Sequence, residues 1–219
     1  VELNQARIPL FPIGAVVFPG EQLPLHIFEE RYKQMVAYCL ERGVERRSAP
    51  FGIILGENGE VKGVGCSVTI TRVLERYGDG RLDILTVGER RFTVLDLHRE
   101  RLFTEGTVQY FDDTAGEPVD RILEHRAVAL QGKILELVKK KTPNLQMDQS
   151  TKASFVLGHF AGLKNEERQH FIEIRSENQR LQYLVDHYEK ILPVVLERDD
   201  LKALITMNGQ VRKLASMEL

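Results

Sequence analysis

The sequence predicts an α+β protein: a small, partly closed β pseudo-barrel with one early helix over residues 1–116, then an α-helical bundle over residues 117–219. Three observations predict it. The first half consists of short apolar runs broken by proline and glycine, which read as strands and turns. Two dipeptides within it, Asn58-Gly59 and Asp79-Gly80, tolerate the positive φ angles that tight hairpins demand. Near "DDTAGEP" the apolar period becomes helical and does not change back.

In chain order, "IPLFPIGAVVFPG" sets three prolines and two glycines among apolar residues, which suits short, bent or edge strands. "PLHIF" alternates, with Leu25 and Ile27 on one face and His26 and Phe28 on the other. "EERYKQMVAYCLER" then takes helical spacing. Tyr32, Met35, Val36, Cys39 and Leu40 form its apolar stripe, Glu29 and Glu30 suit the positive end of the helix dipole, and Gly43 is a stop signal. "FGIILGENGEVKGVG" and "VTITRVLERYGDGRLDILTVG" read as two hairpins, and "RRFTVLDL" and "FTEGTVQYF" as further strands. Six or seven short strands of this kind make a small barrel.

From Val119 to Lys141, residues Ile122, Leu123, Leu130, Ile134, Leu137 and Val138 recur at helical spacing. Lys139, Lys140 and Lys141 complement the C-terminal end of the dipole, and Pro143 prevents continuation. Ser150 is placed to cap a helix through Phe160, and Asn165 a short one through Ile174. Ser176 with Gln179 has the form of a capping box. It opens a helix whose stripe is Leu181, Leu184, Val185, Tyr188, Ile191 and Leu192, kinked or ended by Pro193. A last amphipathic piece, "ERDDLKALI", precedes a polar tail, and "KKKTPNLQMDQS" has the composition of a mobile connection.

Composition narrows the function classes. With 42% apolar and 28% charged residues, the chain has neither the makeup of a disordered segment nor an apolar run long enough to cross a bilayer. The N-terminus has no signal-peptide pattern, although the chain starts at Val and native residues can precede it. The two cysteines, Cys39 and Cys66, belong to no C-x-x-C pair. They read as small buried side chains in a reducing cytosol, with no metal and no cofactor implied. A net charge of −2 leaves no electrostatic footprint for nucleic acid or membrane. Seven arginines fall between residues 72 and 101, but six acids are interspersed, so a mixed solvated surface is the simplest reading.

No catalytic motif stands out. Lys141-Thr142 lacks the preceding glycines of a phosphate-binding loop, and "GVGCSV" lacks the third glycine and the strand–helix context of a dinucleotide loop. Neither H-E-x-x-H nor G-x-S-x-G occurs, and the six histidines are scattered. "LPLHIFEERY" does place His26 close to Glu29, the parts of an acid–base site, but its strand-to-helix context favours a structural joint.

That stretch belongs to a longer ordered string. "IPLFPIGAVVFPGEQLPLHIFEERYKQMV", "FGIILG" and "VGERRFTVL" resemble, in order and spacing, the N-terminal domain of the Lon ATP-dependent proteases. "NEERQHFIEIRSENQRLQYL" is similar more loosely, and Glu30 stands where family members often have proline. The resemblance implies a PUA-like pseudo-barrel followed by helices. It also implies a role in holding unfolded or tagged substrates, with the ATPase and Ser–Lys peptidase modules following in full-length members. The 219 residues hold neither module, so the chain reads as a stand-alone Lon N-terminal-domain protein and not an enzyme.

The leading expectation is a non-catalytic polypeptide-binding module, an adaptor or modulator of proteolysis whose partners are exposed or unfolded segments and a Lon-type protease. Phe18, Phe28, Arg31, Tyr32, Arg91 and Phe92, in or beside the resembling motifs, are the candidate contacts. For each, core packing or an internal ion pair is the competing reading. RNA binding by a PUA-like fold, and a small enzyme using His26 and Glu29, are the alternatives; the first rests on fold analogy.

Overall fold

A computed structural model describes residues 4–44, 47–57, 60–138 and 151–215. The described strands are β1 (Gln5–Ile13), β2 (Gln22–Ile27), β3 (Phe51–Glu57), β4 (Glu60–Arg76), β5 (Leu82–His98) and β6 (Glu105–Tyr110), with helix α1 (Glu30–Glu41) between β2 and β3. They form one mixed sheet in the order β2-β5-β4-β3-β1-β6. An additional β5–β6 pairing closes it into a barrel, with β2 on the outer half of β5. β1 and β3 run parallel, and every other pair is antiparallel.

The prolines of β1 sit inside this sheet, not on its outer edge. The reason is that β6 pairs with residues 5–9 while β3 pairs with 10–13, so each half of β1 is locally an edge and can lack an N–H. The expected run of short strands is replaced, in part, by two strands of 17 residues. β-Bulges at Cys66/Val68, Ile70/Arg72 and Val73/Glu75 break the alternation of β4 and let each long strand bend around the barrel. Asp79-Gly80 does form a hairpin turn: the Gly80 N–H donates to the Tyr77 carbonyl at 2.9 Å with Gly80 at φ 83°. Asn58-Gly59 lies outside the described residues, although the flanking β3 and β4 pair antiparallel.

Phe92 fills the barrel with Ile8, Leu10 and Val108. Its ring needs glycine opposite: a Cβ on Gly65 would stand 2.7 Å from Phe92 Cζ and 2.4 Å from the Ile53 carbonyl oxygen. α1 buries Tyr32, Met35, Val36 and Cys39, the expected stripe, with Tyr32 edge-on to Phe11 at 4.3 Å. Burial pushes the Cys39 thiol up to about 12, and that of Cys66 up as well, so both are inert apolar fillers at neutral pH.

Four helices follow: α2 (Arg121–Leu137), α3 (Ala153–His159), α4 (Asn165–Glu173) and α5 (Glu177–Ala215). α3 and α4 belong to the same compact unit as the barrel, up to Glu177, while α2 and the rest of α5 form a second unit. In that second unit Asp120 caps α2 by accepting the Ile122 and Leu123 N–H groups. The buried face of α2 carries Ala127, Gln131 and Leu135, and Ile122 of the expected stripe is 83% exposed. Gln131 tolerates burial because its amide donates to the Tyr188 hydroxyl at 2.7 Å. α5 buries Leu181, Leu184, Val185 and Tyr188 as expected, but it continues through Pro193 and takes in "ERDDLKALI". α5 begins one residue after Ser176, and α4 at Asn165, with Glu167 accepting the Lys164 N–H at 2.8 Å. The lysine run, Pro143, Ser150 and the connection "KKKTPNLQMDQS" lie outside the described residues.

Candidate functional site

The Phe-Pro-Gly turn shows how the motif residues are used. Pro19 supplies the fixed φ of the first turn position and Gly20, at φ 79°, the second, with the Glu21 N–H donating to the Phe18 carbonyl at 3.1 Å. β5 holds the turn in register: Gly20 N–H donates to the Gly88 carbonyl at 2.8 Å, and Gly88 N–H to the Glu21 carbonyl at 2.9 Å. Arg168 of α4 donates twice to the Val16 carbonyl and once to Glu21 Oε2, at 2.5 Å. Its guanidinium also lies 4.1 Å from the ring of Phe18. Phe18 itself is fully buried against Phe155 and Phe171.

Arg91 and Phe92 leave β5 on opposite sides. Phe92 enters the barrel. Arg91 is buried, donating to the Ile172 and Ile174 carbonyls at 3.1 and 2.6 Å and to Asp113 at 2.5 Å, with its guanidinium 4.8 Å from the Phe111 ring. Of the six candidate contacts, therefore, Phe18, Tyr32, Arg91 and Phe92 are buried and hold the frame together, without forming one surface. Phe28 and Arg31 face solvent. Arg31 pairs with Glu29 at 2.7 Å and lies 4.5 Å from the Tyr32 ring.

Phe28 belongs to an exposed aromatic cluster. The alternation of β2 sends Ile27 inward and His26 outward, and the β2–β5 register sets His26 opposite Asp83. His26 Nδ1 lies 2.5 Å from Asp83 Oδ1, and the Tyr77 hydroxyl donates to Asp83 Oδ2 at 2.7 Å. The Phe28 ring stacks on His26 with centroids 6.0 Å apart, and Tyr77 meets His26 edge-on at 5.9 Å. Bonds from His26, then Tyr77, hold the Asp83 carboxyl below its usual range, and the same carboxylate raises Tyr77. Phe28 stays 60% exposed, a large apolar ring facing water on a rigid support.

Both oxygens of Asp83 are occupied, and Glu29 is paired with Arg31, so the His26–Glu29 pair of the enzyme alternative does not form. Among the described residues no group of three or more His, Cys, Asp or Glu is placed to hold a metal ion, and no helix is long and apolar enough to cross a membrane. Tyr77 and Asp83 carried no signal in the sequence, because Asp83 meets His26 through a strand pairing 57 residues apart and Tyr77 joins them by its bond to Asp83.

A closed barrel with an attached outer strand is thus braced by α4, through Arg168 on the Val16 carbonyl and Glu21 and through Arg91 on the Ile172 and Ile174 carbonyls. The chain belongs to the family of ATP-dependent protease La (LON) substrate-binding domains, whose model matches residues 7–190. Substrate binding is thus the role its family carries. Two solved structures share the fold. A Lon N-terminal domain protein from Xanthomonas campestris is 24% identical with a TM-score of 0.65, over 83% of this chain and 98% of that one. The N-terminal domain of a Mycobacterium avium complex Lon protease is 14% identical with a TM-score of 0.58, over 84% and 98%.

Proposed function

We propose that this chain is a non-catalytic polypeptide-binding module of the cytoplasm that engages exposed segments of unfolded proteins. In this reading it serves as an adaptor or modulator of proteolysis alongside a Lon-type protease. The observation that carries it is Phe28. A 60% exposed phenylalanine, stacked on a histidine that is itself fixed by Asp83, is a preorganised apolar anchor for a side chain of another polypeptide. Arg31, the second residue of α1, supplies a polar rim, while Phe18, Tyr32, Arg91 and Phe92 keep the support rigid.

The test is equilibrium binding of a fluorescently labelled, permanently unfolded protein, with a labelled native globular protein of similar size as control. Binding in the micromolar range or tighter, confined to the unfolded form, is expected. Failure to bind any of a panel of such substrates contradicts the proposal.

A further inference from the structure

β4 changes neighbours along its length. Residues 60–68 pair with β3 on one side, whereas residues 64–76 pair with β5 on the other. From Thr69 to Arg76, one edge of β4 has no strand beside it among the described residues. Ser48 Oγ accepts the Ile70 N–H at 2.8 Å and so closes the first part of that edge. Beyond it lies a cleft of about 320 Å³, whose lining includes Leu40, Arg47, Ser48, Ile70, Arg72 and Val73. The edge from Thr71 to Arg76 is long enough, at about 3.3 Å per residue, for a short added strand.

Two features of the cleft select its occupant. A strand edge offers N–H and C=O groups at the repeat of an extended chain, which extended polypeptide alone matches. The charged residues in the lining are both arginine. No ion pair joins Arg72 to a carboxylate among the described residues, and Arg47, its side chain 77% exposed, has only a loose one to Glu89 at 3.8 Å. Leu40, Ile70 and Val73 supply the apolar part of the lining.

We propose that the free β4 edge is a strand-addition site for an extended acidic segment in which apolar and carboxylate residues alternate. The proposal deepens the polypeptide-binding reading and rests on it. Bulges and charges also serve to keep foreign strands off an edge. A basic guard repels or ignores every strand except an acidic one, so the two roles diverge for an acidic segment.

The probe is a fluorescein-labelled heptapeptide alternating Val and Glu, titrated with the full chain and read by anisotropy. Saturable binding is expected. A Lys-for-Glu peptide, and one N-methylated at alternate amides, should each bind at least tenfold more weakly. R72E should lose at least tenfold and R72K should retain most of the affinity, both with melting temperatures near that of the parent. Equal binding of the N-methylated peptide would mean charge attraction without strand pairing, and unchanged affinity in R72E would put the peptide elsewhere; either overturns the proposal. Absence of any binding makes the edge a guard. If the unfolded protein binds while the peptide does not, only the edge proposal falls. If neither binds, the polypeptide-binding reading falls with it.

Discussion

A buried guanidinium is tolerated only when its N–H groups and its charge are matched, and Arg91 meets both conditions through two carbonyls and Asp113. Arg91→Ala removes a buried guanidinium that donates to Asp113 and to two backbone carbonyls, so a loss of about 3–5 kcal/mol in urea unfolding is expected. A loss under about 1 kcal/mol, the range of a surface pair, would show that the contact is not structural. Asp83 gives a pH signature at the same scale. Its carboxyl titrates below the ordinary 3.8, so its stabilising share is fully present above that pH and is lost as pH falls through the depressed value. Replacing His26 by Ala should move the Asp83 midpoint upward in an NMR titration, and an unmoved midpoint would contradict the pairing. Side-chain roles were the least legible part of the sequence. One signal was there: adjacent strand residues face opposite sides, so Arg91 and Phe92 were never able to line one surface. Burial of Phe18 under Arg168 carried no such signal, because it depends on a contact between residues 150 positions apart.

At the scale of elements, the Phe-Pro-Gly turn is the joint on which β1, β5 and α4 meet. Gly20→Ala forces a Cβ into the left-handed region and to 2.8 Å from Thr151 Oγ1. A cost of about 1–3 kcal/mol in thermal or urea unfolding is expected; a neutral variant would mean that the turn adopts another conformation. This turn, the α1 stripe and the stripe of α5 were readable because each is local: a proline and a glycine at fixed offsets, or apolar residues at helical spacing. Elements whose form depends on partners were not. β4 looked like separate short strands because its bulges interrupt the alternation. The buried face of α2 was misplaced because it is set by Gln131, a polar residue that only a hydrogen bond to Tyr188 makes welcome inside. Of the two readings of Pro193, a kink or an end, the end is overturned, since the helix passes through it. The division of the chain also depends on partners. α3 and α4 carry helical sequence signals, but Glu177 caps α3 through the Ser154 N–H and hydroxyl, and Arg91 and Arg168 tie α4 to the strand segments.

For the whole molecule, charge and surface chemistry separate the functional readings. Arg81, Arg90, Arg91 and Arg101 pair with Asp79, Asp112, Asp113 and Glu105, which neutralises four of the seven arginines of the stretch and weighs against the extended basic face that RNA binding needs. An exposed aromatic anchor on a rigid barrel instead favours apolar contact, whose affinity depends little on salt, unlike phosphate contacts. The family match covers residues 7–190, from β1 through α2, α3 and α4 into α5, and so includes Phe28 and its support. The most direct measurement is an anisotropy titration of a labelled, permanently unfolded protein with the wild-type chain and with Phe28→Asp, at low and moderate salt. Wild type is expected to bind with little salt dependence, and Phe28→Asp to bind at least tenfold more weakly at an unchanged melting temperature. Equal affinity of the two proteins, or no binding by either, would contradict the assignment of Phe28 as the polypeptide anchor.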